Sequence, residues 1–203
     1  MVSTNSLERE DKFPRIYLLL TSALFLILAF TILVFTLAPV FKAEVSYRLQ
    51  KNDPLITLSP VDEDFSVIIP KINANAKVIK NVDPFDSRVY QVALTRGIAH
   101  AKGTSTPDNP GNTFIFAHSA QNWYQANQYN AVFYLINKLE PQDEIIVYYQ
   151  KQKYTYSVAE KKIVSGKEVN YLSSNLNTKE LTLMTCWPPG TTLNRLVVIA
   201  KPK

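Results

Sequence analysis

Between Arg15 and Lys42 the chain runs for 26 residues without a charge, and Ile16 to Ala38 ("IYLLLTSALFLILAFTILVFTLA") is apolar almost throughout. As a helix, 23 residues rise roughly 34 Å, enough to cross a hydrocarbon core of about 30 Å. A cleaved signal peptide would carry an apolar core of about 7–15 residues followed by a small-x-small site. The run here is longer, and "LAPVFKAEV" makes a poor site. The expectation is an uncleaved transmembrane anchor over 16–38, after a short tail over 1–15. Arg9, Lys12 and Arg15 precede the segment and Lys42, Arg48 and Lys51 come after it. Three against three leaves the positive-inside rule balanced, so orientation has to come from the chemistry of the C-terminal part of the chain.

That C-terminal part reads as one domain. Of 203 residues, those before Pro60 are tail, anchor and a stretch of mixed charge that reads as a stalk over 39–60. Residues 61–203 are enough for a single core. The formal charge of +5 comes from scattered Lys and Arg with no dense patch, so nucleic acid is not an expected partner. Short β-patterned runs recur between turn signals: "DFSVIIP", "AKVIK", "NTFIFAHS", "DEIIVYYQ" with "KYTYSVAEKKIV" as a hairpin, then "ELTLMTC" and "LNRLVVIA". Two stretches read as helices. "DSRVYQVALTRG" ends on Gly97 as a natural C′ residue. "YNAVFYLINKL" spaces Val132, Leu135, Ile136 and Leu139 at i, i+3, i+4, i+7. Many short strands with few helices point to a closed or nearly closed β-barrel.

The only cysteine, Cys186, stands at the end of a strand, and a lone thiol forms no intrachain disulfide. Its bland reading is a small buried hydrophobe. His118 closes another strand, and alternation puts Phe114, Phe116 and His118 on one face. If "LTLMTC" and "NRLVVIA" pair across "WPPGTTL", one register sets Cys186 opposite Arg195, Met184 opposite Val197 and Thr182 opposite Ile199. Pro188 and Pro189 allow other loop lengths. The three residue types suit acyl transfer. A thiolate is the nucleophile, and a nearby imidazolium lowers the thiol pKa and can protonate a leaving amine. An arginine that never loses its charge can hold an oxyanion. His precedes Cys by 68 residues, the reverse of the papain-like order.

At these residues the sequence resembles the sortase family. "TLMTC" (Thr182 to Cys186) matches the TLxTC signature, with Arg195 nine residues on, and "FIFAHS" matches the strand that delivers the family's histidine. "VIIPKINANAKVI", "GIAHAKGTSTPDNPGN" and "AVFYLINKLEPQDEIIVYY" resemble further parts of it, so the likeness covers about residues 64–201. It implies an eight-stranded sortase-type β-barrel with a few short helices, mainly β, behind one N-terminal transmembrane helix. Some members of the family bind calcium, but nothing in this sequence supports a metal or other cofactor, and none is expected. The implied activity is that of a cysteine transpeptidase. It cleaves an LPXTG-like sorting motif near the C-terminus of a surface protein through a thioacyl intermediate. The acyl group passes to an amine of a cell-wall precursor or of a pilin lysine. Carried over, Cys186 is the nucleophile, His118 the general acid/base, and Arg195 the substrate or oxyanion clamp. The resemblance also implies a cytoplasmic N-terminus and a domain outside the cell.

Around this set, Thr185 either orients substrate backbone or favours the strand, and Trp187 either walls a groove or packs beside the loop. Ala117 stands where the family often has glycine. His100 resembles a recurrent family position in "GIAHAKGT" and reads as a structural or site-flanking hydrogen-bonding residue rather than the base. "DPF" (Asp83 to Phe85) has the letters of a pilin-sortase lid but reads as a turn that starts a helix. Asp83, Asp86 and Asp108 have no metal-site spacing. "CWPPGTT" resembles the loop of class D- or E-like members. Two rivals remain: a protease of the same fold that hydrolyses the intermediate, and an inactive anchored β-domain used for binding.

Overall fold

A computed structural model describes residues 15–50, 58–119, 132–168 and 178–203. The chain divides between Leu37 and Ala38 into two compact units. The first is built on helix α1, Arg15–Gln50, whose stretch Ile16–Phe35 is long and apolar enough to cross a membrane. The helix runs past Ala38, so the first half of the expected stalk is helical, while 51–57 and the tail 1–14 lie outside the described residues.

The second unit is a closed eight-stranded barrel. In chain order the strands are β1 (Phe65–Ile69), β2 (Ala74–Val82), β3 (Ile98–Ala101) and β4 (Gly111–Phe116), then β5 (Glu144–Tyr149), β6 (Gln152–Ser165), β7 (Lys179–Trp187) and β8 (Asn194–Pro202). Around the barrel they run β1-β2-β3-β4-β7-β8-β6-β5. The pairs β2/β3 and β4/β7 are parallel and the rest antiparallel. The sequence pattern accounts for most of this. β5 alternates, burying Ile145, Val147 and Tyr149, whereas β1 and β4 are buried at every position. The β5–β6 hairpin expected from sequence is present. Its two-residue loop, Gln150 and Lys151, has φ of 50° and 64°, the left-handed pair that tight hairpins demand.

Helix α2, Ser87–Leu94, links β2 to β3, and the Asp86 carboxylate caps it by accepting the Arg88 N–H. It does not reach Gly97. Thr95 is its C-cap, and Gly97 serves another purpose. A Cβ there would lie 2.4 Å from the Lys77 carbonyl oxygen on β2, which is backbone and cannot swing away. Gly97 is thus the point where the chain enters β3 in close parallel contact with β2. Gly97→Ala is expected to destabilise the fold by about 1–3 kcal/mol through overpacking, read as a lower urea midpoint.

The second expected helix also differs. Its start at Tyr129 to Ala131 lies outside the described residues. From Val132 on, the chain makes turns and a 3₁₀ segment, Ile136–Lys138. Leu135, Ile136 and Leu139 of the expected apolar set are buried, whereas Val132 is only partly so and Phe133 is buried beside it. Helix growth stops because Leu139 is extended and Lys161 Nζ donates to the Asn137 and Leu139 carbonyls at 2.6 and 2.7 Å, giving them partners from another strand.

β3 was not visible as a strand in the sequence pattern. Its four residues are all buried, so nothing alternates. It carries His100, fully buried, whose Nδ1 accepts the Asn81 N–H at 3.4 Å. Its Nε2 lies 3.1 Å from both the Ser105 carbonyl and Thr104 Oγ1. This set pins the neutral Nε2–H tautomer. Burial, above all, lowers the imidazole pKa. His100 is a structural tie between β2, β3 and the loop after β3.

Candidate active site

Three neighbouring strands, β4, β7 and β8, place the candidate residues. β4 and β7 run parallel with Phe116 level with Met184. Past the strand end, the Ala117 N–H donates to the Met184 carbonyl at 3.1 Å, and Thr185 Oγ1 donates to the Ala117 carbonyl at 2.9 Å. Continuing that register by two residues brings His118 level with Cys186. Across the other edge, β7 and β8 pair with Cys186 directly opposite Arg195, Met184 opposite Val197 and Thr182 opposite Ile199. That is the register that sets thiol and guanidinium side by side. Extended past Phe116, the β4/β7 register would put His118, Cys186 and Arg195 in one lateral row with the thiol in the middle, and all three line the same cavity.

The row faces a cavity of about 320 Å³. Phe114, Phe116, Met184 and Leu94 make its lining apolar, Tyr90 and Phe85 come from the β2–α2 side, Gly166 and Thr192 lie near Arg195, and Glu168 also lines it. Burial acts on both reactive groups. It pushes the Cys186 thiol pKa up, with Arg195 opposing it, and pushes the His118 imidazole down. Both shifts favour the neutral thiol and the neutral imidazole over the thiolate–imidazolium pair that the residue types suggest.

Arg195 is held from below. Its Nη1 donates to the Thr192 and Asn194 carbonyls at 3.1 and 3.0 Å. Thr185 and Ala117 both line the cavity, but the Thr185 hydroxyl is spent on Ala117. The residue thereby fastens the His118 segment to the Cys186 strand. Thr185→Val keeps the shape and leaves the Ala117 carbonyl without this donor. It is expected to cost about 1–3 kcal/mol in urea unfolding. Trp187 is not among the residues lining the cavity and packs against the barrel core. His100 does not line it either.

Several cavity residues escaped the sequence reading. Phe85, 74% exposed at the mouth, sits in a turn where Asp83 Oδ1 accepts its N–H at 2.9 Å, just before α2. The "DPF" letters do form a turn that starts a helix, and the letters alone gave no hint that the turn borders the cavity. Gly166 and Glu168 come after β6 in a stretch whose pattern has no period to read. Among the described residues, no cluster of three or more His, Cys, Asp or Glu could hold a metal ion.

Comparison with known proteins agrees with this architecture. The Sortase domain family matches residues 67–203. The chain is similar to Sortase D of Bacillus subtilis (strain 168), 27% identical over 120 residues, which is 59% of this chain and 52% of that protein. It thus spans about half the length of that relative. Among solved structures, a Clostridium perfringens sortase D5 transpeptidase aligns with a TM-score of 0.57 and 22% identity, covering 83% of this chain and 98% of that one. Sortase A from Corynebacterium diphtheriae gives a TM-score of 0.58 and 23% identity, covering 77% of this chain and 66% of that one. Sortase C-1 from Actinomyces oris gives 0.58 and 22%, covering 81% and 98%. Likeness spread this evenly over three named types establishes the barrel without choosing a type. With the family matched from Val67 to the last residue, the chain belongs to the sortase family.

Proposed function

We propose that this chain is a membrane-anchored cysteine transpeptidase acting on surface proteins that carry an LPXTG-like C-terminal sorting motif. The observation that carries the reading is that Cys186 stands opposite Arg195 across β7 and β8 and that both line one cavity with His118, which follows the end of β4. Cys186 is the nucleophile, His118 the general acid/base and Arg195 the clamp on the substrate carbonyl or the oxyanion. Thr185 and Ala117 form the backbone clip beneath the substrate, and Trp187 supports the loop after the nucleophile.

In the first step His118 takes the thiol proton as sulfur attacks the threonyl carbonyl. The carbonyl oxygen becomes an oxyanion beside the Arg195 guanidinium. The C–N bond then breaks and the imidazolium gives its proton to the leaving amine. That leaves a thioester on Cys186. In the second step an acceptor amine attacks the thioester, a new amide forms, and its surplus proton returns through His118 to the thiol. The acceptor is an amine of a peptidoglycan precursor or a pilin lysine. Helix α1 over 16–38 anchors the enzyme with its N-terminus in the cytoplasm, and the domain over 61–203 works outside. "CWPPGTT" supports a class D- or E-like assignment.

The test uses the full chain in detergent micelles, LPXTG-like peptides, and amine acceptors added or withheld, with products read by mass spectrometry. A thioacyl adduct on Cys186 and amine-dependent ligation are the expected result. Cleavage indifferent to every amine would make the protein a hydrolase. No adduct on a folded protein would leave a binding domain.

A further inference from the structure

Arg195 offers a charge to the site only if its guanidinium stays in place, and one wall of that place is a missing side chain. Gly166 comes directly after β6, where Val164 pairs with Arg195 and Ser165 with Asn194. A Cβ on Gly166 would lie 3.3 Å from Arg195 Nη1, 3.5 Å from its Cζ and 3.4 Å from the Thr192 carbonyl. The φ of Gly166 is not in the left-handed region, so backbone freedom does not account for a glycine here. The reason left is space. The atom that a Cβ would crowd most is also the one that donates to Thr192 and Asn194. The guanidinium is thus wedged between two carbonyls on β8 and its approach loop and the bare Cα of Gly166 just past the end of β6.

We propose that Gly166 is a positioning residue for Arg195: its lack of a side chain is what lets the guanidinium lie against the end of β6 and point at the space beside Cys186. A methyl at this position would move the guanidinium by a few tenths of an ångström or break one of its two anchoring bonds. The cationic end is the soft partner in that contact, because the others are backbone. The effect therefore falls on the charge offered to the thiol rather than on the barrel. Gly166 is itself partly exposed at a strand end, which keeps the substitution away from the core.

The inference rests on the proposed role of Arg195, and its test separates the two. Cys186 is the only thiol, so its iodoacetamide alkylation rate against pH reports directly on the charge beside it, with no substrate required. In the full chain in micelles, Gly166→Ala is expected to move the alkylation limb to higher pH, in the direction of Arg195→Ala but less far. It is also expected to lower kcat/KM about 10-fold, since small misplacements of a reacting group are costly. Gly166→Val should do more. Lys167→Ala, the exposed neighbour, should do neither. In an Arg195→Ala background, Gly166→Ala should leave the limb where it is. If Gly166→Ala leaves both limb and kcat/KM at wild type while Arg195→Ala shifts them, Gly166 has no positioning role. The same holds if its effect persists undiminished without Arg195. If Arg195→Ala itself changes neither, the assignment of Arg195 falls first.

Discussion

Cys186→Ala is expected to lower turnover of a sorting-motif peptide by about 10⁴-fold or more, because no other thiol in the chain can form the thioester. His118→Ala is expected to cost about 10²–10⁴-fold, the usual worth of a positioned general acid/base. The two losses should not multiply. The imidazole acts only on a proton that belongs to the thiol or to the amine leaving its adduct. The double variant should therefore be no slower than Cys186→Ala alone. Both variants should bind peptide with nearly unchanged affinity. The cavity floor is made by Phe114, Phe116, Met184 and Leu94, which neither substitution touches. Single-turnover assays with mass detection separate the stages: His118→Ala should accumulate adduct slowly and Cys186→Ala should form none. Turnover surviving in Cys186→Ala would mean that the row across β4, β7 and β8 is not where the chemistry happens.

How far the sequence carried the reading depended on what each residue was asked to do. β7 and β8 were legible as a pair from the apolar runs on both sides of the Pro-Pro-Gly turn, but the prolines left several loop lengths open, and it is the structure that fixes Cys186 opposite Arg195. β5 and β6 were legible as a hairpin from two β-patterned runs a few residues apart. β3 was not, since four fully buried residues show no period and one of them is a histidine. Gly97 shows the limit of local rules. It stands just where a helix would end, yet its task is to admit the backbone of β2, a contact 20 residues back in the chain that no propensity encodes. Gly166 is the same lesson in the site. Around Leu135 and Ile136 three of the four expected apolar positions are buried and Phe133 joins them in place of Val132, while Lys161 takes over the Asn137 and Leu139 carbonyls, so burial was mostly legible and hydrogen bonding was not. Thr185 was visible as part of a signature, but its bond to Ala117 depends on two parallel strands meeting end to end.

The protonation state of the site is where structure and residue types part, and pH is the way to measure it. With the thiol raised and the imidazole lowered, both by burial, the two titrations move apart. A lowered His118 is uncharged through the neutral range, so it does not draw the thiol down. Alkylation of resting enzyme should then rise only through an alkaline limb, above the ordinary thiol range, with no reactive plateau at acid pH. His118→Ala should leave that limb nearly in place. Arg195→Ala should move it further up, because a cation that favours the thiolate is gone. Turnover should be bell-shaped, its acid limb set by His118 below the ordinary imidazole value and its alkaline limb by Cys186. Between the limbs only a small fraction of the protein carries thiolate and imidazolium together. Turnover therefore depends on proton transfer within the substrate complex, and on how well Arg195 holds the charge that forms there. Arg195→Ala is accordingly expected to lower kcat about 10²–10³-fold, the loss typical of one oxyanion donor. Arg195→Lys should recover part of it, keeping charge but losing the planar fork that Thr192 and Asn194 grip. An acid plateau of alkylation that disappears in His118→Ala would instead mean a resting thiolate–imidazolium pair, with burial too weak to keep either group neutral.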